Sequence, residues 1–510
     1  MSKRASVTGY AIPQSRIQHI IARQGYCAVC DGSPKMAKST HNPPILSADH
    51  RELAIQQELF ITSPYSSGSP LFLPNGTRIF NTLTGFLRSK YERYGFQEVI
   101  SPTIYKKSLW EKSGHWENYA EDMYSVTGRG AESASEGKQV GKDEEYGLKP
   151  MNCPGHCLIF ASKKRSYRDL PIRYADFSPL HRNEISGALS GLTRLRKFHQ
   201  DDGHIFCRPS QIRDEISKTL EFVKETYNLL KMGPYRLTLS TRPKDHFIGS
   251  MEEWANAESA LKSSLDASGE TWTINEGDGA FYGPKIDIII KDSNDKEHQT
   301  ATIQLDFQLP KRFELEYQAP APELEQKGLT TRDGELLAVE GPVTPVLIHR
   351  AVLGSVERMM ALLIEHHNGK WPFWLSPRQV IILTLNDKPA TLNFAREAQK
   401  QISIGNEMFG TNTPIAVDID DSPRALGKKI AVAKSKHYSI IAIIGDQNVA
   451  HGRMNVDISW LLSDAEMPAK SMLNDIRSEV QPMDKTNVRK MTVSPLELRK
   501  VLQVLQALRV

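Results

Sequence analysis

Cysteine is scarce. The five in 510 residues, Cys27, Cys30, Cys153, Cys157 and Cys207, are too few and too scattered for a disulfide framework. This excludes the stapled secreted scaffolds and points to a reducing compartment. Long apolar runs are missing too: no window approaches the roughly 18 to 20 consecutive apolar residues that span a bilayer, so no membrane partner is expected. A strong charge of either sign is absent, and a net +4 allows a polyanionic partner without demanding one. The first forty residues lack acid: Lys3, Arg4, Arg16, Arg23, Lys35 and Lys38 face only Asp31, among Ser, Thr and small residues. That composition fits an organelle transit segment or, alternatively, a disordered basic arm. Cys27 and Cys30 form a C-x-x-C there, but no second pair follows at zinc-site spacing, and they are assigned no role. With 39% hydrophobic and 24% charged residues the chain is of ordinary globular composition, long enough for two or three domains with sizeable cores.

From about Ala48 the texture becomes compact. Ile79, Phe80, Leu83, Phe86 and Leu87 recur at helical spacing before "YGFQEVISP" turns extended toward Pro102. Residues 128–147, polar, Gly-rich and charged, read as an exposed loop. "LPIRYADFSPLHR" and "RLRKFHQDDGHIF" are two extended runs joined by a Gly- and Ser-rich stretch, which predicts an antiparallel hairpin with a long loop. "AFYGPKIDIIIKD" and "HQTATIQLDFQL" repeat the pattern, and "TPVLIHRAVLGSVERMMALLIEHH" passes from strand to helix. After "WPFWLSP", short apolar strands alternate with helical segments, as in a small α/β unit with both faces covered. Ser422 and Pro423 are expected to start its clearest helix. The predicted organisation is a basic extension 1–47, an α+β domain 48–375 built on an antiparallel sheet, and a compact α/β domain 376–510.

In "KFHQDDGHIF" the positions where a strand would bury aliphatics carry Gln200, Asp202 and His204, and Arg194 shares their parity. A solvent-exposed polar face is the ordinary explanation, but across the hairpin Arg182 would bring a second guanidinium toward the same surface. Arg358, beside the apolar stripe of the last helix, is a candidate third, or a surface ion pair. In "KPMNCPGHCLIF", Cys153, His156 and Cys157 lie within five residues, either as ligands of one ion or, for Cys157, as a buried apolar cysteine. Spacing alone leaves both open.

Taken together, "MNCPGHCLIF", "FSPLHRNEISGALSGLTRLRKFHQDDGHIFC", "DGAFYGPKIDI", "ATIQLDFQLP" and "IHRAVLGSVER" resemble the signature blocks of threonyl-tRNA synthetases, a class II family. "LWEKSGHWENYAEDMY" looks especially like the mitochondrial enzymes of fungi, and the similarity runs from about residue 60 onward. The resemblance implies a six- or seven-stranded antiparallel class II sheet followed by an anticodon-binding α/β domain. It implies Zn2+ on Cys153, His204 and His349, so that His156 and Cys157 drop out as ligands. It implies threonine contacts from Gln200, Asp202, Tyr282 and Gln304, with Lys285 near the reacting carboxylate. ATP contacts would come from Arg182, Glu184, Arg194, Gln299 and Arg358, with Mg2+ accompanying the nucleotide. Catalytic roles would fall on Arg182, Lys285 and His115, the last near the terminal adenosine of tRNA(Thr). The implied reaction is adenylation of L-threonine by ATP and transfer to the tRNA 3′ end, in a homodimer of the mitochondrial matrix that pairs through the helix and strand ending at Pro102. Little chain precedes the catalytic blocks, so a preceding editing domain is not expected. Residues 322–344, like 128–147, look like insertions without chemistry. The rival readings are a synthetase-like nucleic-acid-binding accessory protein and a sister enzyme for proline or serine, both disfavoured by the full set of arginines and ligands. Arg424, Lys428, Lys429, Lys434 and Lys436 crowd one helical segment and are expected to meet phosphate or solvent.

Overall fold

Pro74 opens the first long helix, Pro74–Arg93, at a position where a missing N–H is harmless, and Lys90 and Arg93 close it against the dipole. Its apolar stripe of Ile79, Leu83, Phe86, Leu87 and Tyr91 is buried, as the spacing predicts. In this computed structural model the described residues are 49–127, 145–245, 247–292, 295–404, 414–458, 481–482 and 490–509. The predicted transit segment 1–47 with its Cys27–Cys30 pair, and nearly all of the 128–147 loop, lie outside them.

The main sheet has nine strands. In chain order they are β1 Gln97–Glu98, β2 Ile172–Asp176, β3 Pro179–His181, β4 Lys197–Cys207, β5 Arg236–Ser240, β6 Trp272–Asn275, β7 Lys285–Lys291, β8 Glu297–Asp306 and β9 Val346–Ser355. Their spatial order is β6-β5-β7-β8-β9-β4-β2-β1, with β3 also on β4. The run β5-β7-β8-β9-β4-β2 is antiparallel throughout, while β6 and β1 add parallel edges. The predicted class II sheet is thus present, extended at both margins. The predicted hairpin is also there: β2 and β3 pair with β4 across the 182–196 loop. Arg194 lies in that loop, three residues short of β4, so it does not take part in the strand's alternation. Its turn is closed by an isolated antiparallel bridge between Ser190 and Arg194.

One face of the sheet is filled. Ile205, Ile286, Ile288, Ala301, Ile303, Ile348 and Val352 pack with Phe222, Val223 and Tyr227 of the Ile212–Leu230 helix into the main core. Burying the Ile, Val and Phe side chains among them contributes about 1.5–3 kcal/mol each. Arg350 also enters this face, fully buried, with its guanidinium 4.4, 4.2 and 4.7 Å from the ring centres of Tyr91, Phe96 and Phe222. The other face carries the opposite parity and is where polar residues gather. Cross-strand register places Lys285, Gln304, His349, His204 and Tyr174 in one row across five strands. A neighbouring row runs Asp287, Thr302, Ala351, Asp202 and Asp176.

The predicted insertion 322–344 is ordered. Tyr317–Pro320 pairs antiparallel with Glu340–Val343, two short helices lie between, and buried Glu325 accepts from Arg208 Nη2 at 2.6 Å. Beyond Leu375 a second sheet begins: Val380–Thr384 lies parallel to Val417–Asp420 and Ile440–Ile444, with antiparallel additions from Met454–Asp457 and Lys490–Val493. Helices Pro389–Ser403 and Pro495–Leu508 cover one side, and Leu426–Ser435 covers the other. That last helix starts at Leu426, not at Ser422–Pro423 as expected. Asp420 Oδ1 accepts from Ser422 N at 3.1 Å and Arg424 reaches Ser422 Oγ at 2.8 Å, so the proposed cap is consumed in a turn. Lys429 departs from its predicted basic surface: it is buried, donating to Thr384 O at 2.8 Å and Asp420 O at 3.1 Å.

Candidate active site

Cys153 begins the helix Cys153–Ala161, whose Pro154 fixes the first turn. The helix end brings the thiol to the polar rows: Cys153 Sγ and one nitrogen each of His204 and His349 lie within 4.8 Å of one another, all from buried residues. His204 Nε2 and His349 Nδ1 are 2.9 Å apart. On its far side His349 Nε2 donates to Asp306 Oδ2 at 2.8 Å, which turns the lone pair of Nδ1 inward. Burial holds the His204 imidazole well below its usual pKa, toward the neutral form a metal ligand needs, while it pushes the Cys153 thiol well up. One sulfur and two imidazoles at the border of a cavity make a donor set that fits zinc. His156 stands beside this set, its ring centre 4.7 Å from that of His204, but its Nε2 faces Asp176 at 3.6 Å. Cys157 is buried in an apolar cluster with Phe160, Leu309 and Phe313.

The trio borders a cavity of about 520 Å³. Its walls also hold Gln200, Asp202, Tyr282, Lys285, Gln304, Arg182, Glu184, Arg194 and Gln299. Asp202 accepts from Asn152 Nδ2 at 3.0 Å, and its other oxygen lies 3.9 Å from His204 Nδ1. The Tyr282 hydroxyl donates to Gln304 Oε1, and Gln304 Nε2 donates to Thr302 Oγ1 at 3.2 Å. Although burial works against its charge, Lys285 is held protonated by Asp287 at 3.1 Å and Asp278 at 3.2 Å. A smaller cavity of about 210 Å³ shares Arg182, Glu184, Arg194, Gln200 and Gln299 with the first and adds Arg358. Arg182 stacks over Phe198 at 5.1 Å, and its buried Nε has no hydrogen-bond partner among the described residues. Arg194 pairs with Glu184 at 2.8 Å. Arg358 donates to Thr193 O at 2.9 Å and Gln299 O at 2.8 Å, with burial and then Arg182 and Arg194 lowering its pKa. Three guanidiniums facing one hollow suit a polyanion.

His115 lines neither cavity but lies behind Cys153 at the wall of the larger one. It is buried, its Nδ1 lies 2.8 Å from Ser113 Oγ, its Nε2 lies 3.7 Å from Cys153 Sγ, and burial pushes its pKa down to about 4. Gln299 reaches the cavity through a bulge. Ala301 pairs with Ile288 and Gln299 with Ile289, so Thr300 is the extra residue and Gln299 regains the face of Thr302 and Gln304. Asp306, Asn152 and Asp287 were missed by sequence reasoning. Asp306 was within reach of it, being two residues from Gln304 on the same strand face; Asn152 and Asp287 matter only through partners on other elements.

Residues 138–332 match the family of the class II tRNA synthetase core domain (G, H, P, S and T), and residues 379–459 match the anticodon binding domain. Among curated proteins, the chain is 50% identical to the probable mitochondrial threonine-tRNA ligase of Schizosaccharomyces pombe, over 81% of this chain and 85% of that one. It is 49% identical to the mitochondrial threonine-tRNA ligase of Saccharomyces cerevisiae, over 79% of this chain and 84% of that one. Among solved structures, a chain described as the RNA binding domain of threonyl-tRNA synthetase from Cryptosporidium parvum superposes with a TM-score of 0.73 at 40% identity, covering 90% of this chain and 98% of that one.

Proposed function

The chain belongs to the threonyl-tRNA synthetases, class II enzymes that join threonine to its tRNA, and on that premise we propose how its cavity divides the labour. Threonine occupies the larger hollow, with Gln200 and Asp202 against its amino and hydroxyl groups and Tyr282 and Gln304 closing the side. Zinc held by Cys153, His204 and His349 would supply a Lewis-acid position that discriminates an amino acid bearing a hydroxyl from one that does not. Lys285 meets the carboxylate as it turns toward the nucleotide. ATP, with Mg2+, lies across the shared wall into the smaller hollow: Arg182 takes the α-phosphate, Arg194 and Arg358 the outer phosphates, and Glu184 and Gln299 the nucleoside side. In-line attack of the threonine carboxylate on the α-phosphate then gives threonyl-adenylate and pyrophosphate. The protein contributes by placing charge and holding geometry rather than by covalent chemistry. His115 is assigned to the transfer step, where an H115A variant is expected to slow transfer to tRNA more than adenylate formation.

Residues 48–375 form the catalytic domain and 376–510 the anticodon-binding domain in this reading, with exposed Lys428, Lys434 and Lys436 toward tRNA phosphates. A homodimer pairing beside the Pro74–Arg93 helix suits the 83% exposure of Ile100. Mitochondrial protein synthesis is the setting that the two fungal relatives suggest. The observation that carries the whole is the approach of Cys153, His204 and His349 beside Asp202. ATP–pyrophosphate exchange across amino acids, with metal analysis before and after chelation, tests it. Exchange should depend on threonine, ignore valine and vanish with the metal; metal-free protein that still activates threonine and refuses valine overturns it.

A further inference from the structure

A second trio of metal-ligating side chains, Asp49, His50 and Glu365, also comes within 4.8 Å. Here, however, the ring has no lone pair to spare. His50 Nδ1 lies 2.7 Å from Glu365 Oε1, and Nε2 lies 3.1 Å from the backbone N of Leu192. A backbone N–H only donates, so Nε2 is the acceptor, Nδ1 carries the proton and the ring is neutral. Asp49 is engaged elsewhere, accepting from Arg51 N at 2.8 Å and Arg51 Nε at 3.0 Å. His50 is 5% exposed, and the facing Gly191, at φ +48, passes so close that an added Cβ would stand 2.1 Å from Nε2. The ring is built into its place.

Both of its partners lead to the nucleotide end of the cavity. Leu192 lines the smaller hollow, and its neighbours are Thr193, whose carbonyl accepts from Arg358 at 2.9 Å, and Arg194, paired with Glu184. Glu365 stands near the end of the helix Val356–His366 that carries Arg358 in its first turn. One imidazole therefore ties the loop bearing Arg194 to the helix bearing Arg358.

We propose that His50 is a positioning residue for ATP: the Glu365–His50–Leu192 clamp holds the two outer-phosphate arginines in one frame. This rests on the assignment of Arg194 and Arg358 to ATP. The test compares H50A, H50Q, E365A and R358A in the full chain, reading KM for ATP and for threonine in pyrophosphate exchange, and the thermal shift that each substrate gives. H50A should raise KM for ATP about 10-fold, the size expected when one buried hydrogen bond ceases to hold a binding group, with KM for threonine changed less than about twofold. The thermal shift with ATP should shrink while that with threonine persists. H50Q, whose carbonyl can accept from Leu192 N, should recover most of the ATP affinity. If H50A does not fold, E365A carries the same ATP-selective expectation. Equal rises in both KM values, or H50Q as poor as H50A, would overturn the clamp. If R358A leaves KM for ATP unchanged, the ATP assignment itself fails; if R358A raises it and H50A does not, only the clamp fails.

Discussion

Asp306 touches no substrate in the proposed arrangement, yet it decides what His349 can do. Its carboxylate takes the Nε2 proton at 2.8 Å while its other oxygen accepts from Gln308 N at 2.7 Å and Leu309 N at 3.0 Å, so it cannot swing away. A D306N variant should fold but bind zinc about 10- to 100-fold more weakly, the usual loss when such a partner is weakened. Competition with a chromogenic chelator measures it, and an unchanged affinity would show that Asp306 only caps the Gln308–Arg312 turn. Replacing a proposed ligand is harsher: C153S should come through purification without stoichiometric metal and should lose discrimination against valine in pyrophosphate exchange. At this scale the side chains that line the cavity were readable, because the blocks containing them resemble a known family. Of the residues that orient them, Asp306 shared the legible face of Gln304, whereas Asn152 and Asp287 acquire meaning only from partners on other elements.

Among the elements, the two irregularities in the central strands matter more than the strands. The bulge at Thr300 returns Gln299 to the cavity face, and Gly354, at φ +69, lets β9 pass beneath Thr300, where an added Cβ would sit 2.1 Å from its carbonyl oxygen. Alanine at 354 must therefore strain its own backbone and displace β8. We expect G354A to lose about 2 kcal/mol or more of stability in urea titration, and to raise KM for ATP because Gln299 O supports Arg358. A neutral G354A would show that the strand relaxes freely. Alternation and helical spacing predicted the strands and helices themselves, because those patterns report which face is buried. Bulges and turns such as that at Ser422 have no periodic signature; they follow from a few local hydrogen bonds, which is why the expected cap there became a turn instead.

For the molecule as a whole, selectivity is limited by what the pocket can sense. Serine offers the same hydroxyl as threonine and lacks only a methyl, a difference worth about 1–3 kcal/mol. Seryl-adenylate should form measurably in pyrophosphate exchange, and a preference for threonine above about 10⁴ by the purified chain alone would contradict this pocket. The order of domains was legible because a change in strand texture near residue 375 marks a change from one sheet to another; the hairpin excursion at 322–344 was not, since its burial depends on Arg208 and Tyr317. The cross-strand row that joins Gln304, His349 and His204 has a final consequence. Sliding β9 by one residue would turn His349 into the oily layer and swing Arg350 out of its aromatic cage. If the trio holds a metal as proposed, only correctly registered chains would chelate, and cobalt substitution would provide a coloured gauge of how much of any preparation has folded true.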